Sequence, residues 1–454
     1  MKTTYDVKLG QVQQRTDRAT NAFVARWRVA GKQKSKSFRT KGLANAFLSD
    51  LRQAAKAGEE FDVATGLPVS MVAAEQAGPS FLEFAQAYVV RRWNSSAART
   101  RETDAYALLT LIPALVADAP RRPTAEELRE VLRIHALLPE GRRAALNSSQ
   151  AAVLRWLEGA SLPLSALGEA DVLRTALDAI SATFAGAPAG ANTVRRKRAV
   201  LHHLLEHAVE QKVFASNPLD GIKWAVPKAV TSVDPRTVVN PAQARLLLDA
   251  VPKVGRKRGP RLKALFACMY YAALRPEEAA DLRLRNCTLP EDGWGLIVLE
   301  KARPQGTKRW TNSGETHESR SLKHRADKET REIPIPPVLV ELLREHIATY
   351  GSAEDGRVFR TSTGGTYSSS AHSYVWQEAR RLALTPEQVA SSLAARPYDL
   401  RHAAVSLWLN AGVPAVEVAK RAGHSVDVLL RVYAKCMDGQ QDQINGKIND
   451  ALDG

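Results

Sequence analysis

Between Tyr398 and Tyr433 the chain reads YDLRHAAVSLWLNAGVPAVEVAKRAGHSVDVLLRVY. Three side chains in this stretch suit phosphoryl transfer on a polyanion. Arg401 offers a fixed fork of donors for a phosphate. His424 is a second donor or a proton carrier. Tyr433 carries a hydroxyl able to act as a covalent nucleophile. Upstream, Arg275 lies in ALRPEEAADLRL with Glu278 three residues on. At that spacing the carboxylate can orient the guanidinium by paired hydrogen bonds. The competing reading of Arg275 is a surface ion pair.

Short elements must position these groups. The pattern predicts a helix over 403–410, broken by Gly412 and Pro414. A second helix is expected over 416–422, closed by Gly423, and a third from about Val426 that carries Tyr433 near its end. Helices are also expected over 240–251, with Pro241 at its first position, and over 262–273, an apolar and therefore buried run. Arg275 then falls at a helix-to-helix junction. Strands are expected over 294–299 and 331–335, with a long polar stretch between them. Further helices are expected over 337–351 and 370–384.

The stretch resembles the C-terminal signature of the tyrosine recombinases, the phage integrase family. That signature is His-x-x-Arg, then Gly-His, then Tyr nine residues after the second His. Arg401, Gly423-His424 and Tyr433 match it, and Arg275 matches the upstream family Arg. Tyr398 departs from it, standing where most members have the first His. The layout is most similar to integrases of mobile elements in high-GC actinobacteria.

The resemblance implies DNA strand cleavage and rejoining without a cofactor. Arg275 and Arg401 would clamp the non-bridging oxygens, and His424 would hydrogen-bond the phosphate. Tyr433 would attack and hold a 3′-phosphotyrosine. A lysine on a β-hairpin would protonate the leaving 5′-oxygen, with Lys323 as first choice and Lys328 as second. Tyr398 would hydrogen-bond the phosphate, position Arg401 or merely pack. The implied partners are double-stranded attachment sites, a tetramer of the protein on paired sites, and a small excision factor. A Xer-like resolving recombinase and a non-catalytic DNA-binding protein stay open as alternatives.

Composition agrees with a polyanionic partner. The chain has 454 residues, a formal net charge of +16 and a pI near 9.8. Three scattered cysteines make neither a disulfide framework nor a zinc cluster, which fits a reducing, cytoplasmic setting. No P-loop, HExxH or EF-hand motif supports ATP or metal chemistry. No apolar run is long enough to span a bilayer.

The expected fold is multidomain, mainly α with small β elements. Residues 1–70 read as an arm-type DNA-binding domain of β-hairpin and helix. Phe23, Ala25, Trp27 and Val29 alternate with Arg26 and Arg28, a turn follows at Gly31-Lys32, and a helix covers 43–57. From Arg26 to Lys41 the chain carries seven cations, Arg26, Arg28, Lys32, Lys34, Lys36, Arg39 and Lys41, and no acid. Together they predict a basic outer face fit for a major groove, or else a solvated charged hairpin. Residues 76–225 read as a helical, SAM-like core-binding domain. Its last long helix, 193–211, carries Arg195, Arg196, Lys197 and Arg198 as DNA contacts. A structural or oligomerising role is the alternative for this domain. Residues 237–450 read as a mixed α/β catalytic domain.

Overall fold

The structure is a computed structural model that describes residues 2–15, 22–72, 78–228, 231–323 and 329–436, with residues 445, 449 and 452 beyond them. The chain divides into two units, residues 1–94 with 103–227, and residues 228–454 with 95–102.

The first unit begins with short antiparallel strands. β1 (Thr3–Thr4) pairs with a later strand, and β2 (Val7–Leu9) and β3 (Gln13–Arg15) line one edge of β4 (Ala22–Val29). β5 (Lys32–Phe38) lines the other edge. Ala30 and Gly31 close the β4–β5 hairpin with φ of 48° and 77°. Positive φ at both positions is what a two-residue type I′ connection requires. The expected turn at Gly31-Lys32 thus sits one residue earlier. α1 (Lys41–Lys56) is capped by the Thr40 hydroxyl and packs on the sheet. Ala25, Trp27 and Val29 meet Leu48 and Leu51 in a core that also buries Phe61 of β6 (Phe61–Asp62), the partner of β1.

Strand register corrects the expected single basic face. Residues directly opposite in an antiparallel pair share a face. Trp27 faces Lys34 and Ala25 faces Lys36, so both lysines belong to the helix side of the sheet. Lys34 donates its ammonium to the Ala64 carbonyl, and Lys36 Nζ stands 5.2 Å from the centre of the Phe47 ring. The open face instead presents Lys8, Arg26 and Arg28, with Ser35 and Gln33 beside the two arginines. Lys32, Arg39 and Lys41 are exposed, but they sit at the end of the hairpin and at the entry to α1.

The rest of the first unit is helical. α2 (Phe81–Arg92) opens with a reciprocal cap between Ser80 and Glu83. α3 (Ala98–Leu111), which belongs to this unit from Thr103 on, stops where Pro113 enters a short 3-10 turn, as its missing N–H dictates. α4 (Ala125–Val131) opens with a capping box between Thr124 and Glu127. α5 (Ser148–Ala160), α6 (Ala170–Ser181) and α7 (Ala191–Glu210) complete the set. On α7, Arg195 and Arg196 are exposed and Arg198 is half-buried. Lys197 is corrected from the expected DNA-facing set, because only 3% of it is exposed. Its Nζ donates to the Ala182 carbonyl at 3.2 Å, near the rings of Tyr106 and Phe184. Helical spacing sends position 197 inward with Val194 and Leu201.

The second unit is organised around α9 (Arg258–Tyr271), which is buried along most of its length. It packs on α8 (Pro241–Ala250) and is followed by the short α10 (Pro276–Ala280). A three-stranded antiparallel sheet runs in the order β11-β8-β7, from Arg331–Ile335, Gly295–Leu299 and Cys287–Thr288. Two further short strands, β9 (Lys301–Ala302) and β10 (Arg320–Ser321), pair within the polar stretch. α11 (Pro337–Tyr350), α12 (Ser369–Ala383) and α13 (Pro386–Ala390) follow. Trp376 of α12 is fully buried, and its indole N–H donates to the Ala394 carbonyl at 2.7 Å.

The final helices are α14 (Asp399–Asn410), α15 (Ala415–Ala422) and α16 (Val426–Tyr433). α14 starts four residues before the expected Ala403. The buried Asp399 carboxylate accepts the Arg396 backbone N–H at 2.8 Å, which begins the turn early. Among the described residues, no helix is long and apolar enough to cross a membrane.

Candidate active site

Each functional side chain is placed by a helix end. Arg275 is the N-cap of α10, in extended conformation, and Glu278 is its N3 residue. The Glu278 carboxylate accepts the Arg275 backbone N–H at 2.8 Å and its guanidinium at 2.6 Å. The capping position thereby aims the side chain away from α10. Its other terminal nitrogen donates to the Gly423 carbonyl at 2.8 Å.

Gly423 terminates α15 in the left-handed region, with φ of 66°. A side chain here would also collide with the Arg331 guanidinium, 2.2 Å from where a Cβ would stand. Glycine is therefore required for two separate reasons, and the turn it makes delivers His424 to the cluster.

Arg401 lies in the first turn of α14 and is wholly buried. It donates to the carbonyls of Ala273 and Ala422 and to His424 Nε2, the last at 2.8 Å. Ala273 has a positive φ of 49°, just before the Arg275 junction. A guanidinium has no lone pair to offer, so His424 accepts through Nε2 and is neutral in this arrangement. Burial, reinforced by Arg401, Arg275 and Arg331, pushes the His424 imidazole down to about 3.

Two members of this cluster escape a reading from the sequence alone. Arg331, at the start of β11, is 2% exposed and grips Glu278 through both terminal nitrogens, at 3.0 and 2.6 Å. Its signal was alternation, since Arg331, Ile333 and Ile335 share the buried face of the strand. His402 is the second. Its Nδ1 lies 2.9 Å from the Tyr433 hydroxyl. It stands one helical turn after Tyr398, whose ring meets it edge-on with centroids 5.1 Å apart.

Tyr433 itself is 1% exposed, with the rings of His402 and His424 at 5.7 and 6.2 Å. Burial raises its hydroxyl well above the ordinary phenol range, against the opposing pull of Arg401. Tyr398, His402 and His424 are half-buried, so the cluster meets solvent on their side.

The electrostatic balance is lopsided. Three guanidinium groups converge on one carboxylate. Burial would raise Glu278, yet Arg331, Arg275 and Arg401 hold it down at about 2. The Nε atoms of Arg331 and Arg401 are buried without a hydrogen-bond partner among the described residues. Such a site has donors and positive charge to spare, and an anion with several oxygens satisfies both.

Arg275, Glu278, Arg401, His424 and Tyr433 are thus brought together. Lys323 is not joined to them. It is exposed, two residues beyond β10, and makes no contact with the cluster among the described residues. Lys328 lies outside the described residues.

A fold of helices around a small sheet, with buried arginines beside a tyrosine at a helix end, defines the class of DNA strand transferases that use a tyrosine. Residues 237–439 match the phage integrase family. That stretch is a phage integrase domain, the domain of tyrosine-type site-specific recombinases.

Solved structures similar to this chain include three DNA complexes. The Tn1549 transposon integrase (residues 82–397) with transposon right end DNA is 14% identical, covers 72% of this chain and 98% of its own, and has a TM-score of 0.47. The XerH site-specific recombinase bound to palindromic difH substrate is 14% identical over 81% and 96%, with a TM-score of 0.46. Lambda integrase (residues 75–356) bound to DNA is 12% identical over 66% and 93%, with a TM-score of 0.40. No curated protein sequence matches significantly.

Proposed function

We propose that this recombinase cuts and rejoins double-stranded DNA at specific sites through a 3′-phosphotyrosine on Tyr433. The observation that carries the reading is the pairing of the buried Arg401 with His424, packed with Arg275 around Glu278 and set beside Tyr433. Arg275 and Arg401 bind the non-bridging oxygens and offset the charge that builds up around five-coordinate phosphorus. His424 accepts from Arg401 through Nε2, which leaves its Nδ1 proton to hydrogen-bond the phosphate. Glu278 holds Arg275 and Arg331 in place. Lys323, carried by the polar stretch between β8 and β11, protonates the leaving 5′-oxygen. The tyrosyl ester stores the bond energy until a 5′-hydroxyl of a partner strand attacks it, so no nucleotide cofactor takes part.

Residues 1–70, 76–225 and 237–450 act in this reading as arm-binding, core-binding and catalytic parts. The open sheet face with Lys8, Arg26 and Arg28 suits a DNA groove, and Arg195 and Arg196 supply backbone contacts from α7. Four protomers join on two paired sites, integrating or excising a mobile element, with a small excision factor setting direction.

The test is a nicked substrate whose short 5′ fragment diffuses away after cleavage and traps the ester. Wild-type protein should form a covalent adduct that maps to Tyr433 by mass spectrometry. Tyr433→Phe should keep DNA binding and lose both adduct and recombinants. Adduct at wild-type level in that variant rejects the nucleophile assignment. No adduct with any variant or the wild type favours a non-catalytic binder.

A further inference from the structure

We propose that His402 is a catalytic residue of this recombinase, the group that takes the proton from the Tyr433 hydroxyl during cleavage and returns it during rejoining. The proposal rests on the assignment of Tyr433 as nucleophile and deepens it. A phenol is a weak nucleophile until its proton has somewhere to go. Among the described residues, the Tyr433 hydroxyl has one hydrogen-bond partner, His402 Nδ1 at 2.9 Å.

The other candidates are poorly placed. Nε2 of His424 is occupied by the Arg401 guanidinium, and three arginines oppose any added proton there. Tyr398 is itself a phenol and cannot accept a proton near neutral pH. Its ring instead packs edge-on against the imidazole, with centroids 5.1 Å apart, and fixes the plane in which Nδ1 points at Tyr433. The position at which this chain departs from the usual pattern therefore supports the neighbouring base.

His402 must be neutral to accept. Burial keeps it so, down to about 4, with Asp399 pulling upward and Arg396 and Arg401 pulling downward. The charged and titratable groups around it are those three, with Tyr398 on its own helix and Tyr433 on α16. In the cleavage step the Tyr433 Oη–P bond forms as the P–O5′ bond breaks. The phenolic proton moves to His402 Nδ1, with the other imidazole proton on Nε2. The 5′-oxygen leaves with a proton from the Lys323 ammonium. The imidazolium formed lies beside the added negative charge at phosphorus. Rejoining runs each transfer in reverse.

Single-turnover cleavage of the nicked substrate tests this with two variants. His402→Gln keeps a hydrogen-bonding group of similar size but cannot take a proton. It should slow adduct formation by about 10²–10⁴-fold, the range for general base catalysis, with DNA affinity within twofold of wild type. His402→Ala should be slow as well, and added imidazole should restore part of its rate without changing affinity. A purely structural role would not respond to imidazole. Adduct on Tyr433 at a rate within threefold of wild type in His402→Gln overturns the proposal while leaving the nucleophile in place. Adduct mapped to another residue overturns both.

Discussion

Arg331 and Glu278 lie 53 positions apart in the chain and meet in a two-point ion pair, at 3.0 and 2.6 Å, in which each partner is at least 98% buried. The same carboxylate holds Arg275 at 2.6 Å. Three guanidinium groups, those of Arg331, Arg275 and Arg401, thus act on the Glu278 carboxylate in one interior. Removing one partner of a buried pair typically costs about 3–5 kcal/mol, because an uncompensated charge stays behind. Glu278→Gln should lose stability on that scale in urea denaturation. A loss below about 1 kcal/mol would mean that Arg275 and Arg331 find solvent when released.

Arg275 and Arg401 should each matter more to the rate than to DNA affinity. Replacing either by Ala removes a donor aimed at charge that develops only in the transition state. By analogy with losing one oxyanion donor, cleavage should fall by about 10²–10³. Arg401→Lys should be almost as damaging, since one ammonium cannot span the Ala273 and Ala422 carbonyls and His424 together. Single-turnover adduct formation measures both effects. A change under twofold at either position would remove that residue from the phosphate clamp.

The two faces of the N-terminal sheet separate binding from stability. Arg26 and Arg28 project from the open face, whereas Lys34 is tied to the Ala64 carbonyl on the helix side. The double change Arg26→Ala with Arg28→Ala should weaken binding to long DNA and lower the steepness of its salt dependence by about 2. Lys34→Ala should leave that slope nearly unchanged and lower the melting temperature instead. Titrations at several salt concentrations distinguish these outcomes. Equal slopes for the two variants would refute the face assignment.

Much of this arrangement was legible in the sequence, for physical reasons that differ by element. α16, α15 and β11 announce themselves by period and by their breakers, because Gly423, Gly412 and Pro414 have few other uses there. Arg275 with Glu278 was legible because a capping box is a local device, three residues long. Arg331 and His402 were not. Each acts through a partner far along the chain, Glu278 for one and Tyr433 for the other, and periodicity carries no trace of such pairings. The β4–β5 register was missed for a related reason. A two-residue turn pairs odd-numbered with even-numbered positions wherever it sits, so Lys34 and Lys36 share the face of Trp27 and Ala25, which alternation along β4 alone does not reveal.

Acid should destabilise the catalytic unit well before its carboxylates titrate. Burial holds His424 at about 3 and His346, His372 and His402 at about 4. Unfolded histidines take up protons below about 6.5. Between that value and about 4 the unfolded chain binds more protons than the folded one, so stability falls as pH falls. Glu278 adds a loss of the same sign at lower pH, from about 4.5 toward 2. The melting temperature should therefore drop between pH 7.5 and pH 5. A flat profile over that interval would show the four imidazoles to be solvated in the folded protein.

Tyr398 presents the sharpest choice, because it stands where a histidine is usual in this family. Its ring sits one turn before His402 and touches it edge-on, with centroids 5.1 Å apart, while His402 reaches the Tyr433 hydroxyl. The ring, rather than the hydroxyl, makes that contact. Tyr398→Phe should therefore retain the packing and slow cleavage only modestly, by about 3- to 30-fold, as expected for one lost hydrogen bond to a phosphate. Tyr398→Ala removes the wall behind the imidazole and should be slower than Tyr398→Phe. Tyr398→His should remain active, and faster near neutral pH if the new imidazole shares the proton with His402. Comparing the three variants in single-turnover cleavage, with the adduct mapped in each, separates packing from chemistry. If Tyr398→Phe were as impaired as Tyr398→Ala, the hydroxyl would be the working group. If adduct were found on Tyr398 in the wild-type protein, it would be a second nucleophile and the positional role would fall.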